Sequence, residues 1–152
     1  MSKIAVFPGS FDPFTKGHEA VILKSLKVFD KVIVGIGVNH KKQYLFNLEN
    51  RLDHISEIFK GIENIEVDSF TGLTVDFCRS NNATHIIRGL RDSKDFEYEK
   101  SIAQMNFDMS EIETVFFLTD QRYSAISSSI MREIHSNGGD ISRFVTNPKL
   151  LV

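Results

Sequence analysis

Short apolar runs alternate with amphipathic stretches along this chain of 152 residues, and that alternation limits the fold more than any other feature. Lys3–Phe7 reads as a buried strand. Lys31–Val38, KVIVGIGV, is a stronger one, β-branched and apolar on both faces. Ile65–Phe70, His85–Arg88 and Thr114–Leu118 are three more. Strands apolar on both faces predict a sheet covered on both sides, as in parallel α/β folds. Helical spacing fills the intervals. His18–Phe29 puts Val21, Ile22, Leu26 and Phe29 on one face, and Asn47 reads as a cap before Leu48, Leu52, Ile55 and Phe59. Gly72–Ser80, Asp95–Met109 and Ser127–Ser136 follow, the last ended by Gly138-Gly139, with a final helical turn expected after Asp140. The β-α alternation predicts an α/β fold: a single doubly wound, Rossmann-like domain over residues 1–152, with a five-stranded parallel sheet and helices on both faces. No linker, internal repeat or low-complexity tract interrupts it.

Composition narrows the function. Hydrophobic residues make up 41% of the chain, including 13 Phe, enough to fill a core. A net charge of −2 argues against a protein built to wrap nucleic acid, where a basic domain is expected. It leaves room for a small polyanion held by a few cations in one cleft. Cys78 is the only cysteine, which excludes an internal disulfide and a cysteine-based metal site and predicts a buried, inert thiol. Neither a signal peptide nor an apolar run of about 18 residues is present, so no membrane span and a cytoplasmic location are expected.

Open α/β sheets bind ligands beyond the carboxyl ends of their strands, near the switch in strand order. Three segments there carry chemistry. Pro8–His18, PGSFDPFTKGH, is neither a dinucleotide G-x-G-x-x-G loop nor a Walker loop. Gly17 leaves room for a ligand, and His18 opens a helix whose N–H groups and dipole favour an anion. The alternative for His18 is an ordinary helix cap. In Ile86–Arg91, IIRGLR, two arginines three residues apart match phosphate oxygens bidentately or else join a structural network with acids. Asp95 and Glu99 lie one helical turn apart, a like-charge spacing that a nearby cation would relieve. In Tyr123–Ser129, three serines at a helix start offer hydroxyls and free N–H groups to a polyphosphate, or one of them simply caps the helix. Lys41-Lys42 follows the second strand and reads either as solvated surface or as part of the same rim.

At these residues the chain resembles a known family over essentially its whole length. Thr15-Lys16-Gly17-His18 is similar to the (H/T)-x-G-H element of nucleotidyltransferases. Ile87–Arg91, Asp95–Glu99 (DFEYE) and Ile126–Ser129 (ISSS) resemble the bacterial phosphopantetheine adenylyltransferases in particular. The resemblance implies an enzyme that joins ATP and 4′-phosphopantetheine into dephospho-CoA. It implies that Ser10, where the family usually has threonine, binds the acceptor phosphate together with Lys42 and Arg88, and that Thr74 contacts the pantetheine side. It places ATP on Ser10, the Phe11 backbone, His18, Gly89, Leu90, Arg91 and Glu99. The nucleotide would also meet Tyr123, Ser124, Ala125, Ile126, Ser127, Ser128 and Ser129, with Tyr123 standing where members carry tryptophan. His18 and Lys42, assisted by Arg91, would stabilise the transition state. Further implications are Mg²⁺ bound with ATP, a homohexamer, and coenzyme A as a feedback inhibitor. Rival functions are another (H/T)-x-G-H transferase, acting on nicotinamide mononucleotide or on glycerol phosphate with CTP, and a non-catalytic nucleotide or CoA sensor.

Overall fold

The computed structural model describes residues 1–152. Five parallel strands form one sheet: β1 (Ile4–Gly9), β2 (Lys31–Gly37), β3 (Ile65–Phe70), β4 (His85–Leu90) and β5 (Glu113–Leu118), in the order β3-β2-β1-β4-β5. The helices are α1 (Lys16–Ser25), α2 (Leu48–Ile58), α3 (Thr74–Ser80), α4 (Ser93–Ser110) and α5 (Ser128–Ser136), with a 3-10 turn at Pro148–Leu150 after the expected position at Asp140. The order runs outward from β1 through β2 to β3, then returns to the other side of β1 for β4 and β5. The switch point therefore lies between β1 and β4.

Alternate residues of the central strands fill two separate cores, one on each face of the sheet. Ala5, Phe7, Val32, Val34 and Ile36 pack with Val21 and Ile22 of α1 and Ile55 of α2. Val6, Ile33 and Ile86 point the other way and pack with Val75, Phe77 and Cys78 of α3. Burial of both faces explains why β1 and β2 read as unbroken apolar runs. The edge strands β3 and β5 are only partly covered. A third cluster, formed by Phe46, Met131, Ile141, Val145 and Leu151, fixes α5 to the segment before α2. Cys78 is fully buried, and burial pushes its thiol up to about 11, so it stays protonated and inert.

Several boundaries differ from the sequence expectation, and those of α1, α3 and β4 do so for local physical reasons. Helix α1 starts at Lys16 because Thr15 caps it, and it ends at Ser25 so that Phe29 packs from the turn into β2. Helix α3 cannot include Gly72, whose φ of +88° is left-handed. Strand β4 runs to Leu90 because Gly89 and Leu90 pair with Phe117 and Leu118, which puts Arg88 within the strand.

Gly35 lies mid-β2 under the stacked rings of Phe70 and Phe77, whose centroids are 4.5 Å apart, and a Cβ there would lie 2.8 Å from Phe77. Gly35→Ala is expected to destabilise the fold by about 1–3 kcal/mol, the usual range for overpacking. Urea unfolding measures this, and an unchanged midpoint would contradict it.

Candidate active site

Two adjoining cavities open at the carboxyl ends of the strands. One, of about 450 Å³, is bounded by β2, β3, β4 and α4 and reaches Thr74, Tyr98 and Asn106. The other, of about 320 Å³, lies over β1 and β4 and is bounded by the starts of α1 and α5. Ser10, Lys42, Arg88 and Glu99 line both, so they form the shared wall.

Around the smaller cavity the structure gathers Phe11, His18, Gly89, Arg91, Tyr123, Ile126, Ser127 and Ser128. Thr74 lines the larger cavity alone. Leu90, Ser124, Ala125 and Ser129 line neither. The Ser124 hydroxyl donates to the Gln121 carbonyl, and the Ser129 hydroxyl accepts from Arg132. Gly17 lies on the wall, where a Cβ would make ordinary contacts with Thr15 at 3.5 Å and Tyr123 at 3.7 Å. Crowding within the protein therefore does not demand glycine at that position.

The loop after β1 is shaped by its own side chains. Phe11 adopts a left-handed φ of 49°, uncommon for a bulky residue. Its ring covers Gly9, where a Cβ would lie 2.8 Å away. Asp12 is buried, and its two carboxylate oxygens accept the N–H groups of Leu45 at 2.8 Å and Phe46 at 2.9 Å. Its role is to join this loop to the segment after Lys42.

His18 sits in the first turn of α1. The Thr15 N–H donates to its Nδ1 at 3.0 Å while the Thr15 side chain caps the His18 N–H. Accepting at Nδ1 leaves the proton of a neutral imidazole on Nε2. The rings of Phe7, Phe11 and Phe14 pack around it at 6.1, 5.1 and 5.3 Å between centroids. Desolvation first, then the charges of Arg88 and Arg91, push its pKa down to about 3. His18 is thus both a cap and a neutral N–H donor at the cavity.

The arginines are held by acids before any ligand arrives. Arg88 forms a bidentate pair with Glu99, at 2.9 and 2.6 Å, and donates to the Pro8 carbonyl at 2.6 Å. Arg91 pairs with Asp95 at 3.0 and 3.2 Å. Asp95 and Glu99 share one face of α4, so each carboxylate of the like-charge spacing has its own guanidinium. Lys42 has no carboxylate partner within ion-pair distance, and its ammonium lies 5.4 Å from the Tyr44 ring centre. At α5, the Ser127 side chain caps the helix and the Ser128 hydroxyl donates to the Pro13 carbonyl, while the Ser128 and Ser129 N–H groups have no acceptor in the chain.

Sequence reasoning missed Arg132. It lines the smaller cavity, donating to the Asp12 carbonyl at 3.0 Å and to Ser129 at 3.1 Å. Its spacing of four from Ser128, one helical turn on, was the available signal. Lys42, Arg88, Arg91 and Arg132 stand against Asp95 and Glu99 in this cavity, leaving an excess of positive charge suited to a polyanion.

A model of the cytidylyltransferase-like family matches residues 6–134. The phosphopantetheine adenylyltransferase of Cytophaga hutchinsonii is 49% identical over 146 residues, 95% of this chain and 97% of that protein. The enzyme of the same name from Flavobacterium psychrophilum is 50% identical over 141 residues, 93% of each. Among solved structures, a bifunctional NMN adenylyltransferase/ADP ribose pyrophosphatase from Francisella tularensis superposes with a TM-score of 0.72 at 22% identity. The match takes in 98% of this chain and 47% of that one. A second structure of that protein, complexed with AMP and a manganese ion, gives 0.70 at 22% identity, with 98% of this chain and 46% of that one covered. At such identity the likeness speaks for the fold.

The neutrality of His18 has a sign. The unfolded chain takes up a proton near 6.5, whereas folded His18 resists until about 3, so acid favours unfolding across that window. His18→Asn is expected to lose less stability than the wild type between pH 6.5 and 4. Chemical denaturation at both pH values checks this, and equal losses would contradict it.

Proposed function

The chain belongs to the phosphopantetheine adenylyltransferases within the cytidylyltransferase-like family, and we propose that its two cavities hold the acceptor and the nucleotide of that reaction. It is an adenylyltransferase of coenzyme A biosynthesis: it moves the AMP part of ATP onto the phosphate of 4′-phosphopantetheine, giving dephospho-CoA and pyrophosphate. The observation behind the site assignment is the shared wall. Ser10, Lys42 and Arg88 face both cavities, so a phosphate bound there from one side would meet a nucleotide bound on the other. We take residues 1–152 as one nucleotidyltransferase domain.

In this assignment the acceptor's pantetheine arm runs past Thr74, and its phosphate rests on Ser10, Lys42 and Arg88. ATP lies over Phe11, Gly89 and Arg91, with its outer phosphates on the free N–H groups at the start of α5 and on Arg132. The nucleophile is a phosphate monoester, already ionised near neutral pH, so no protein base is needed. One of its oxygens attacks the α-phosphorus in line, a new P–O bond forms, and pyrophosphate leaves with the electron pair of the broken bond. The enzyme must overcome repulsion between two polyanions and orient them. The Nε2–H of His18 and the ammonium of Lys42 donate to the α-phosphate oxygens as charge builds, and Arg91 supports them. A neutral His18 donor releases no proton during this step.

A metal ion accords with the family, and we assign Mg²⁺ as part of the MgATP substrate. No group of three or more His, Cys, Asp or Glu could hold a metal. Asp12, Asp95 and Glu99 are all committed to N–H or guanidinium donors. Phosphate oxygens and water would therefore carry the ion.

No helix is long and apolar enough to cross a membrane, and we propose a cytoplasmic enzyme. We further propose a homohexamer inhibited by coenzyme A. Helix α4 buries no residue in the single chain, and Ile102, Met105, Phe107 and Met109 are exposed along it, a surface that subunit contact would cover.

Pyrophosphate release with ATP and Mg²⁺, with 4′-phosphopantetheine present or omitted, tests the function. Pyrophosphate and dephospho-CoA, the latter identified by mass, are expected only with both substrates; no product with both present, or equal pyrophosphate release from ATP alone, would refute the assignment. His18→Ala is expected to lower kcat about 10²–10³-fold with ATP affinity little changed, and near-normal turnover would remove its role. Arg88→Ala is expected to raise KM for 4′-phosphopantetheine about 10–100-fold, the equivalent of about 1.5–3 kcal/mol for a charged hydrogen bond. It should also lower Tm, because Glu99 loses its partner.

A further inference from the structure

Arg51 is the largest fully buried side chain in the molecule, with a relative exposure of 1%. It lies in the first turns of α2, on the far side of the loop after β1. A buried guanidinium is costly unless its donors are used, and an apolar residue of similar size often serves stability as well or better. Arg51 has no carboxylate within ion-pair distance. Its bonds go to backbone: Nη1 donates to the Ser10 carbonyl at 2.7 Å and Nε to the Phe46 carbonyl at 3.0 Å. Its guanidinium carbon sits 4.1 Å from the centre of the Tyr44 ring.

These contacts join the two loops that line the shared wall. The C=O of Ser10 and the N–H of Phe11 belong to one trans peptide and point in opposite directions. Holding the carbonyl from behind turns the Phe11 N–H away from Arg51, and that N–H has no acceptor within the chain. It also holds Phe11 in its left-handed conformation, a state that persists only where the surroundings impose it. On the other loop, the Tyr44 ring meets both the Arg51 guanidinium, 4.1 Å from its centre, and the Lys42 ammonium, 5.4 Å from it, and the Tyr44 hydroxyl accepts the Asn39 N–H at 2.9 Å.

Granted the adenylyl transfer proposed above, we infer that Arg51 is a positioning residue that holds the Ser10–Phe11 peptide and the Lys42 loop in register across the two cavities. It touches neither substrate and acts through the groups that do.

The test compares the wild type with Arg51→Met, which keeps an apolar side chain of similar length and removes the fork and the charge. Thermal unfolding, ATP affinity by calorimetry, and kcat are measured on each. The expected result is a folded variant with a Tm within a few degrees of wild type, kcat about 10–100-fold lower and ATP affinity about tenfold weaker, the range for lost support behind a working group. In the Lys42→Ala background the kcat loss from Arg51→Met should shrink to less than threefold, because part of what Arg51 positions is gone. A purely structural role would move Tm and leave that coupling absent. A folded Arg51→Met chain with wild-type kcat and ATP affinity overturns the inference, as does a loss of equal size with and without Lys42. Should Arg51→Met fail to fold, Arg51→Lys, which keeps the charge but not the planar fork, is judged by the same criteria. ATP affinity is independent of turnover. A wild type that makes no product refutes the proposed function, while an active wild type with a folded variant unchanged in both kcat and ATP affinity refutes the role of Arg51.

Discussion

Positive charge has to be held in a partly covered cleft before any phosphate arrives, and the rest of the site is arranged around that requirement. Arg88 and Arg91 would repel each other and lose hydration if left unpaired. Glu99 and Asp95, one turn apart on α4, take one guanidinium each. The two carboxylates would themselves repel on an isolated helix. Four charges, each awkward alone, thus become two ion pairs whose positions α4 and β4 fix. Lys42, on the wall that the two cavities share, has no carboxylate within ion-pair distance.

His18 answers the same requirement differently. It adds no charge. Three phenylalanine rings strip its water, two arginines oppose its protonation, and the Thr15 N–H occupies its Nδ1. What remains is a neutral donor whose proton sits on Nε2. Such a group favours the charge that develops on a phosphate oxygen without adding repulsion among the cations of the resting site. The helix cap that starts α1 and the tautomer of His18 are set by the same few hydrogen bonds.

Much of this was legible along the chain, and the reasons are local. Unbroken apolar runs such as KVIVGIGV mark strands covered on both faces, and residues of alternating direction in β1 and β2 do fill two opposite cores. Asn47 and Ser127 cap helices as their side-chain chemistry predicts. The Asp95–Glu99 spacing called for nearby cations and found them. Errors fell at boundaries, where a single torsion decides: Gly72 is left-handed and cannot join α3, and Gly89 and Leu90 extend β4 because β5 offers partners.

The sequence by itself determined the order of elements, the class of fold and the groups able to hold phosphate, because hydrophobic period, capping and side-chain chemistry are properties of neighbours in the chain. Only the tertiary structure decided which of those groups meet. Crossing from β3 back past β1 to form β4 places Ser10, Lys42 and Arg88, which are far apart in sequence, on one wall between two cavities. It also placed Arg51 and Arg132, which none of the motifs along the chain includes, against the loop after β1. Their partners are the carbonyls of Ser10 and Asp12, 41 and 120 residues away, and no local pattern encodes a hydrogen bond that long-range packing creates.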